Sequence, residues 1–372
     1  MRVALLCPYS VSRPGGVQGQ VIGLAVALAD AGHQAVVLAP ADDAVAPPGL
    51  AVDSFVGLGR SIALPANGSV APVALGPRAA VRAVRAVRAG KFDVLHIHEP
   101  LAPGPGYACL VACPLPKVGT FHRAGKSVAY RLLGPLARAM ARRLVARVAV
   151  SSEARATAQD ALGGSYEIIG NGIDLERFSR ARPHPTHGPT VMFVGRHEER
   201  KGLSVLLDAV SELDSGVAFQ LWVAGEGPDT EWLRRRHPAS SRLVWLGRID
   251  DDELASRLAG AHVLCAPALR GESFGVVLLE AMAARTAVVA SDLPGYRAVV
   301  GEHGTLVPPG DAAALARALA VVVADAAAGT GRCAPPALDA AYEHASQWSM
   351  PRMAQRYVEL YQRVAARSAP SD

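Results

Sequence analysis

Two glutamates eight positions apart, Glu272 and Glu280, carry the strongest chemical signal in the chain. The stretch reads Glu272-Ser-Phe-Gly-Val-Val-Leu-Leu-Glu280. It places one carboxylate in a loop, a glycine at a helix start, and a second carboxylate two turns along an otherwise apolar helix. Burying a carboxylate alone is costly, so Glu280 calls for a partner, and a ligand with hydroxyl donors would serve. The amides of Phe274, Gly275 and Val276 would at the same time face a phosphate, because helix N-termini favour negative charge. Arg196 and Lys201 bracket a second loop, with Gly195 and Gly202 beside them. Two cations on one strand-end loop suit a pyrophosphate and would stabilise a departing diphosphate. A solvated loop is the plainer alternative. Pro14-Gly15-Gly16-Val17-Gln18 joins a strand to a helix, and its glycines admit close approach of a ligand to the backbone. It matches neither G-x-G-x-x-G nor G-x-x-x-x-G-K-[ST], and taken alone it is a tight turn.

Three histidines and an aspartate run are weaker signals. His96-Ile97-His98-Glu99-Pro100 ends a strand, and alternation puts His96 and His98 on one face, as a metal site would want. No third ligand stands at suitable spacing, so a hydrogen-bonded pair at a cleft edge is the better reading, with no metal. His122 follows the strand Lys117–Phe121, where a doubly wound fold exposes cleft residues; position alone also allows a structural histidine. Asp250-Asp251-Asp252 contains D-x-D, a pattern of metal-dependent sugar-nucleotide enzymes, but it precedes a helical pattern, where capping is the default. A magnesium requirement is not legible in the sequence.

The elements that must position these residues follow from the apolar runs. The chain has 372 residues, enough for about two domains at roughly 150 each. Half is hydrophobic, 19% is charged and mean hydropathy is +0.20, so a large core is expected and general disorder is excluded. Val3–Cys7, Val36–Ala39, Asp93–Ile97, Lys117–Phe121 and Val145–Ser151 read as buried strands, with helices over 17–31, 78–90 and 128–144. After a Pro/His-rich stretch, Arg182–Pro189, taken as the linker, a second series begins. Its strands are Thr190–Val194, Phe219–Ala224, Leu243–Leu246, Val263–Ala266 and Ala287–Ala290; helices are expected at Leu203–Leu213, Asp229–Arg236, Asp251–Ala259 and Val276–Ala284. Two such series predict an α/β chain of two doubly wound domains facing a cleft, with ligands at the carboxyl ends of the strands.

No apolar run is long and charge-free enough to span a bilayer. Met1–Cys7 stops at Pro8 without a small-residue cleavage site, which argues against a secretory signal. Five scattered cysteines, only Cys109 and Cys113 near each other, point to a reducing cytoplasm and against a disulfide framework or zinc site. A net charge of +5 and a pI near 9.1 permit an anionic ligand or membrane surface and do not indicate nucleic acid. Basic residues are nearly all Arg, so a single Arg is weak evidence and a Lys (91, 117, 126 or 201) somewhat stronger. Arg78, Arg82, Arg85 and Arg88 form a basic stripe on one helix face, either an ordinary solvated face or a surface lying on anionic lipid.

Together, Gly15-Gly16, Gly195-Arg196…Lys201-Gly202 and Glu272–Glu280 resemble the retaining glycosyltransferases of family 4, which have the GT-B fold. Val223-Ala-Gly225-Glu-Gly227-Pro228, Asn171-Gly172-Ile173-Asp174 and Val307-Pro-Pro-Gly-Asp311 fit as well. Nearly the whole chain is covered. Cys7-Pro-Tyr-Ser10, Pro14–Gln18, Asn67-Gly-Ser-Val-Ala71, Phe92–Pro100, Thr120-Phe-His122 and Gly271–Gly275 are most similar to the family's actinobacterial branch, which moves mannose from GDP-mannose to phosphatidylinositol. The resemblance implies residues 1–170, with a C-terminal helix over about 350–368, as the acceptor-binding domain, and 171–349 as the donor domain. It makes Gly16 an amide donor near the diphosphate and Arg196 and Lys201 its counter-charges. Glu272 would hold sugar hydroxyls and Glu280 ribose hydroxyls, while Ile249 and Asp251 flank and read the base. His122 would lie near the sugar and the acceptor phosphate. Tyr9, Gln18, Asn67, Ser69, Arg123 and Lys126 would line the acceptor side.

Departures cluster on that acceptor side: Pro72 and Ala74 replace basic residues, Leu101 replaces an Asn, and Arg123 replaces a Thr. Leu254 stands where a Lys approaches the base, and Arg285 where a helix normally ends in Gly. The resemblance further implies a front-face reaction without a protein nucleophile, no tightly bound cofactor, a monomer, and a peripheral place on the inner face of the plasma membrane. Two other functions stay open: a family member using another sugar nucleotide with a soluble acceptor, and a nucleotide-sugar epimerase or binding protein.

Overall fold

The computed structural model describes every residue except 14, 44, 67–68, 126–133, 214–217 and 368–372, and only the backbone of 65–66 and 69–70. It divides into two compact units, Met1–Gly172 with Met350–Asp372, and Ile173–Ser349.

The first unit is built on strands β1 (Arg2–Leu6), β2 (Gln34–Ala39), β3 (Phe55–Gly57), β6 (Val94–His98), β7 (Lys117–Phe121), β8 (Ala146–Ala149) and β9 (Glu167–Ile168). They pair in parallel in the order β3-β2-β1-β6-β7-β8-β9. A parallel sheet covered on both faces needs strands that are apolar without alternation, which is why β1 reads as a continuous run over Val3–Leu6; β6 departs from that pattern at His96 and His98. Ala4, Leu6, Leu95 and Ile97 face one layer, which includes helices Pro77–Ala89 and Pro105–Ala112. Val3, Leu5, Val37 and Val94 face the other, formed by helix Gly16–Asp30 and by Met350–Ala366, which inserts Met353, Tyr357, Leu360, Tyr361 and Val364. An antiparallel hairpin, β4 (Ile62–Ala66) with β5 (Ser69–Val73), was not legible from the apolar pattern, since Pro65 and Pro72 interrupt it. Such prolines are tolerated at sheet edges, and here the Pro72 carbonyl accepts the Ser10 N–H at 2.8 Å.

The second unit carries β10 (Thr190–Val194), β11 (Gln220–Ala224), β12 (Leu243–Gly247), β13 (Val263–Ala266), β14 (Ala287–Ser291) and β15 (Thr305–Val307), all parallel, in the order β12-β11-β10-β13-β14-β15. β10 lies between β11 and β13, so the chain leaves it in one direction and later returns on its other side. That switch point brings the loops after β10 and β13 together. β1, between β2 and β6, does the same in the first unit. Arg182–Pro189 is not the linker. The break falls at Gly172/Ile173, and 182–189 belongs to the second unit, where the His184 N–H donates to the Ser256 carbonyl at 2.9 Å. The His184 ring also meets Trp222 edge-on at 5.3 Å. Proline content marked irregular backbone there, and the backbone is nonetheless packed.

Candidate functional site

At the switch point of the second unit, the loop after β10 turns through a short 3₁₀ segment, Glu199–Lys201, and reaches helix Leu203–Glu212 through Gly202 at φ +70°. Only glycine suits that position: the conformation is left-handed, and a Cβ would collide with the Pro267 carbonyl of the loop after β13. The Leu269 N–H donates to the Arg200 carbonyl at 2.8 Å, tying the two loops together. The side chains then converge. Lys201 Nζ lies 2.7 Å from Glu272 Oε1, and Arg200 Nη1 donates to the same oxygen at 2.8 Å. Arg200 Nη2 also stands 2.6 Å from Glu198, a buried carboxylate that Arg196 approaches at 3.6 Å. Three cations thus surround two carboxylates, leaving one excess positive charge on a loop whose neighbour supplies free helix amides. The phenol of Tyr296 is held well above its usual range by burial and then by the adjacent Glu272 carboxylate.

Gly275, at φ +92°, starts helix Val276–Ala283 without a side-chain cap, so the first amides are left for a ligand. Phe274 is buried, with its ring edge-on to Trp348 at 5.2 Å. Glu280 lies half-buried on that helix, and its carboxyl is pushed up to about 7 by burial and then by Asp251, against the pull of Arg177. Arg177 donates to Asp251 at 3.0 Å and lies 3.6 Å from Asp174. Asp250 caps helix Asp251–Gly260 by accepting the Glu253 N–H at 2.8 Å, which leaves Asp251 with its side chain 79% exposed, two residues after half-buried Ile249. The structure therefore gathers Arg196, Lys201 and Glu272 at one place, and Glu280 with Asp251 at another. Arg200, Glu198, Arg177 and Tyr296 join them without having been singled out. Arg200 is adjacent to Lys201, and in a chain where basic residues are nearly all Arg its sequence position alone does not mark it.

In the first unit, His122 follows β7. Its N–H donates to Glu99 Oε1 at 2.7 Å, and its Nε2 lies 2.9 Å from His98 Nδ1. Glu99 itself adopts φ +44°, a costly conformation for a non-glycine residue that such sites often store. His96 and His98 do share a face, with ring centres 4.2 Å apart. Both are hydrogen-bonded, as expected, but they are buried and not at a cleft edge: His96 is bonded to Tyr361 and Thr120, each at 2.7 Å, and His98 to His122. The local sequence pattern does not show this because the partners lie on or just after β7 and on the distant helix Met350–Ala366. Burial lowers His122 to about 4 and His96 to about 3, and it holds His98 well below its usual value, so all three rings are neutral at pH 7. Tyr9 pairs with Val73; burial raises its phenol, then Glu99, with Arg123 opposing.

Gly16 opens helix Gly16–Asp30, and no atom would obstruct a Cβ there. Gln18 uses its amide to brace the loop, donating to the Ser10 and Arg13 carbonyls at 3.2 and 3.3 Å. Asn67 and Lys126 lie outside the described residues, as does the side chain of Ser69. Arg78, Arg82 and Arg85 stand exposed on helix Pro77–Ala89, while Arg88 turns aside to donate to the Ala112 carbonyl at 2.6 Å. Among the described residues, no three His, Cys, Asp or Glu side chains gather as metal ligands, and no helix is long and apolar enough to cross a membrane.

Comparison with known proteins agrees with this architecture. A family profile described as "Glycosyltransferase Family 4" matches residues 14–177, and one described as "Glycosyl transferases group 1" matches residues 188–325. The chain is 42% identical over 333 residues to a phosphatidyl-myo-inositol mannosyltransferase of Mycolicibacterium smegmatis, covering 87% of this chain and 85% of that one. It is 42% identical over 335 residues to the protein of the same name in Mycobacterium tuberculosis, covering 87% and 88%. Among solved structures, a sucrose-phosphate synthase of Thermosynechococcus elongatus superposes with a TM-score of 0.76 at 22% identity, over 99% of this chain and all of that one. The chain belongs to glycosyltransferase family 4 and has the GT-B fold, with two Rossmann-like α/β domains.

Proposed function

We propose that this glycosyltransferase moves a mannosyl residue from GDP-mannose to the inositol ring of phosphatidylinositol, with retention of configuration, as a monomer at the cytoplasmic face of the membrane. The observation that carries the donor half is the cluster Arg196, Arg200, Lys201 and Glu272, beside the uncapped helix at Gly275. A diphosphate bound there competes with Glu272 for Arg200 and Lys201. The carboxylate so released is then available to sugar hydroxyls. In the transfer step, the bond from the anomeric carbon to the diphosphate oxygen breaks. The inositol oxygen bonds to that carbon on the same face, and its proton passes to the leaving diphosphate. No enzyme nucleophile is needed, and the cations bind most strongly when charge has developed on the leaving group. Glu280 accepts the ribose hydroxyls, and Asp251 reads the base.

The acceptor half is supported by the names of the 42%-identical relatives and by the exposed cations of helix Pro77–Ala89. A soluble acceptor is the second reading. It is favoured by Pro72, Ala74 and Leu101, all buried, where the branch it resembles carries polar side chains. Radiolabelled GDP-mannose and UDP-sugars, each offered phosphatidylinositol vesicles or soluble inositol phosphate, separate the two. Label from GDP-mannose in the lipid is the expected result. Label only in the soluble product, or equal affinity for GDP and UDP, overturns the reading.

A further inference from the structure

The ring pair in the first unit fixes more than an orientation. His122 Nε2 and His98 Nδ1 are 2.9 Å apart, and the rings are stacked with centres 5.2 Å apart. Both rings are buried and neutral, so one nitrogen of the pair carries the shared proton and the other accepts it. If His122 donates from Nε2, the proton of His98 must sit on its own Nε2. That nitrogen is buried and has no hydrogen-bond partner among the described residues. A stranded buried N–H is the rarer defect in folded proteins; an under-satisfied acceptor is tolerated more often. The other arrangement avoids the stranded donor: His98 donates from Nδ1, its Nε2 is bare, and the proton of His122 is displaced to Nδ1. His98 cannot turn to improve matters, because His96 packs against it at 4.2 Å and is itself bonded at both nitrogens to Tyr361 and Thr120. The backbone of His122 is fastened independently through Glu99.

We propose that His98 is a positioning residue that locks His122 in the tautomer protonated on Nδ1, so that His122 meets its substrate as a hydrogen-bond donor and not as a base. The functional half of this rests on the reading above, in which His122 faces substrate and the leaving diphosphate takes the acceptor proton. A donor aimed at a substrate oxygen is then all that chemistry requires of the ring.

Nitrogen-15 labelling of histidine, with His122→Gln to assign the signal, reads the tautomer directly. The native protein should show a protonated Nδ1 and a bare Nε2 on His122. His98→Leu should let both tautomers populate and lower kcat about tenfold with the KM for the sugar nucleotide unchanged. His98→Asn, whose amide can donate from near the same position, should restore both the signal and kcat. Native His122 protonated on Nε2 overturns the proposal, as does a His98→Leu protein with native signal and native kcat. If His98→Leu fails to fold by its melting curve, the native and His98→Asn spectra decide. Absence of transfer to any acceptor by the native protein defeats the functional reading, and the spectra still decide the tautomer.

Discussion

Lys201 and Arg200 share one oxygen of Glu272, and that sharing shapes what substitutions there will do. Lys201→Ala removes a charge that matters most as the diphosphate departs, so kcat should fall by about a hundredfold, a loss typical of electrostatic groups at a transition state. Turnover within threefold of native, measured at saturating donor, would sink that role. Glu280 gives a pH signature. Folded Glu280 keeps its proton between the ordinary carboxyl value of 4.5 and about 7. The native state binds more protons than the unfolded chain in that window, so this residue makes stability fall as pH rises through it. Glu280→Gln should match the native melting temperature at pH 5 and exceed it at pH 8. Its nucleotide affinity at pH 8 should be about tenfold weaker, for want of a carboxylate toward the ribose. Calorimetry and titration at the two pH values check both. These glutamates were legible because a carboxylate on an apolar helix is conspicuous. Arg200 was not, because abundance hides a single Arg and only the fold shows Glu198 and Glu272 on either side of it.

At the scale of elements, the inner strands of both sheets are legible because parallel strands covered on two faces are largely apolar, and Thr190–Val194 and Val263–Ala266 have the bounds the sequence predicts. The short edge strands β3, β9 and β15, of two or three residues each, carry too few apolar positions to stand out. The hairpin β4–β5 and the packed stretch 182–189 escaped because proline obscures both the pairing and the packing of irregular backbone. The end of helix Val276–Ala283 shows how one residue outside its expected type is accommodated. Arg285 adopts φ +58°, where an L-residue costs roughly 1–2 kcal/mol and glycine fits freely. Its guanidinium donates to Asp339 at 2.7 Å and lies 4.4 Å above the Tyr342 ring, and both contacts offset the strain. Arg285→Ala keeps the strain and loses the contacts, whereas Arg285→Gly loses both. The Gly variant should therefore be the more stable of the two by about 1 kcal/mol. Denaturant unfolding of the pair tests the ordering, and an Ala variant at least as stable as the Gly variant would show that the backbone there is not strained.

For the whole molecule, the proposed function divides the charges of the two units by task. The groups proposed to hold the nucleotide base, the ribose and the cations of the diphosphate site all lie within Ile173–Ser349, whereas the exposed cations Arg78, Arg82 and Arg85 lie in the other unit. Neither the mean hydropathy of +0.20 nor the net charge of +5 distinguishes these roles; only the placement of the stripe does. Ala79, Ala83 and Val87 pack the opposite side of that helix into the core, so the arginines can be changed without disturbing packing. Arg88 is excluded from the test because its bond to Ala112 gives it a structural task. Each cation near an anionic lipid surface contributes about 1 kcal/mol, and the attraction is screened beyond about 8 Å at physiological salt. Replacing Arg78, Arg82 and Arg85 together by Gln should therefore weaken binding to anionic vesicles by about a hundredfold at low salt, with a smaller difference at high salt. Transfer to vesicle-borne phosphatidylinositol should fall with it, while GDP affinity and the melting temperature hold. Vesicle flotation across a salt series, run beside GDP titration, measures both halves. Unchanged flotation would make the stripe an ordinary solvated face, and weakened GDP binding would refute the division of tasks between the units.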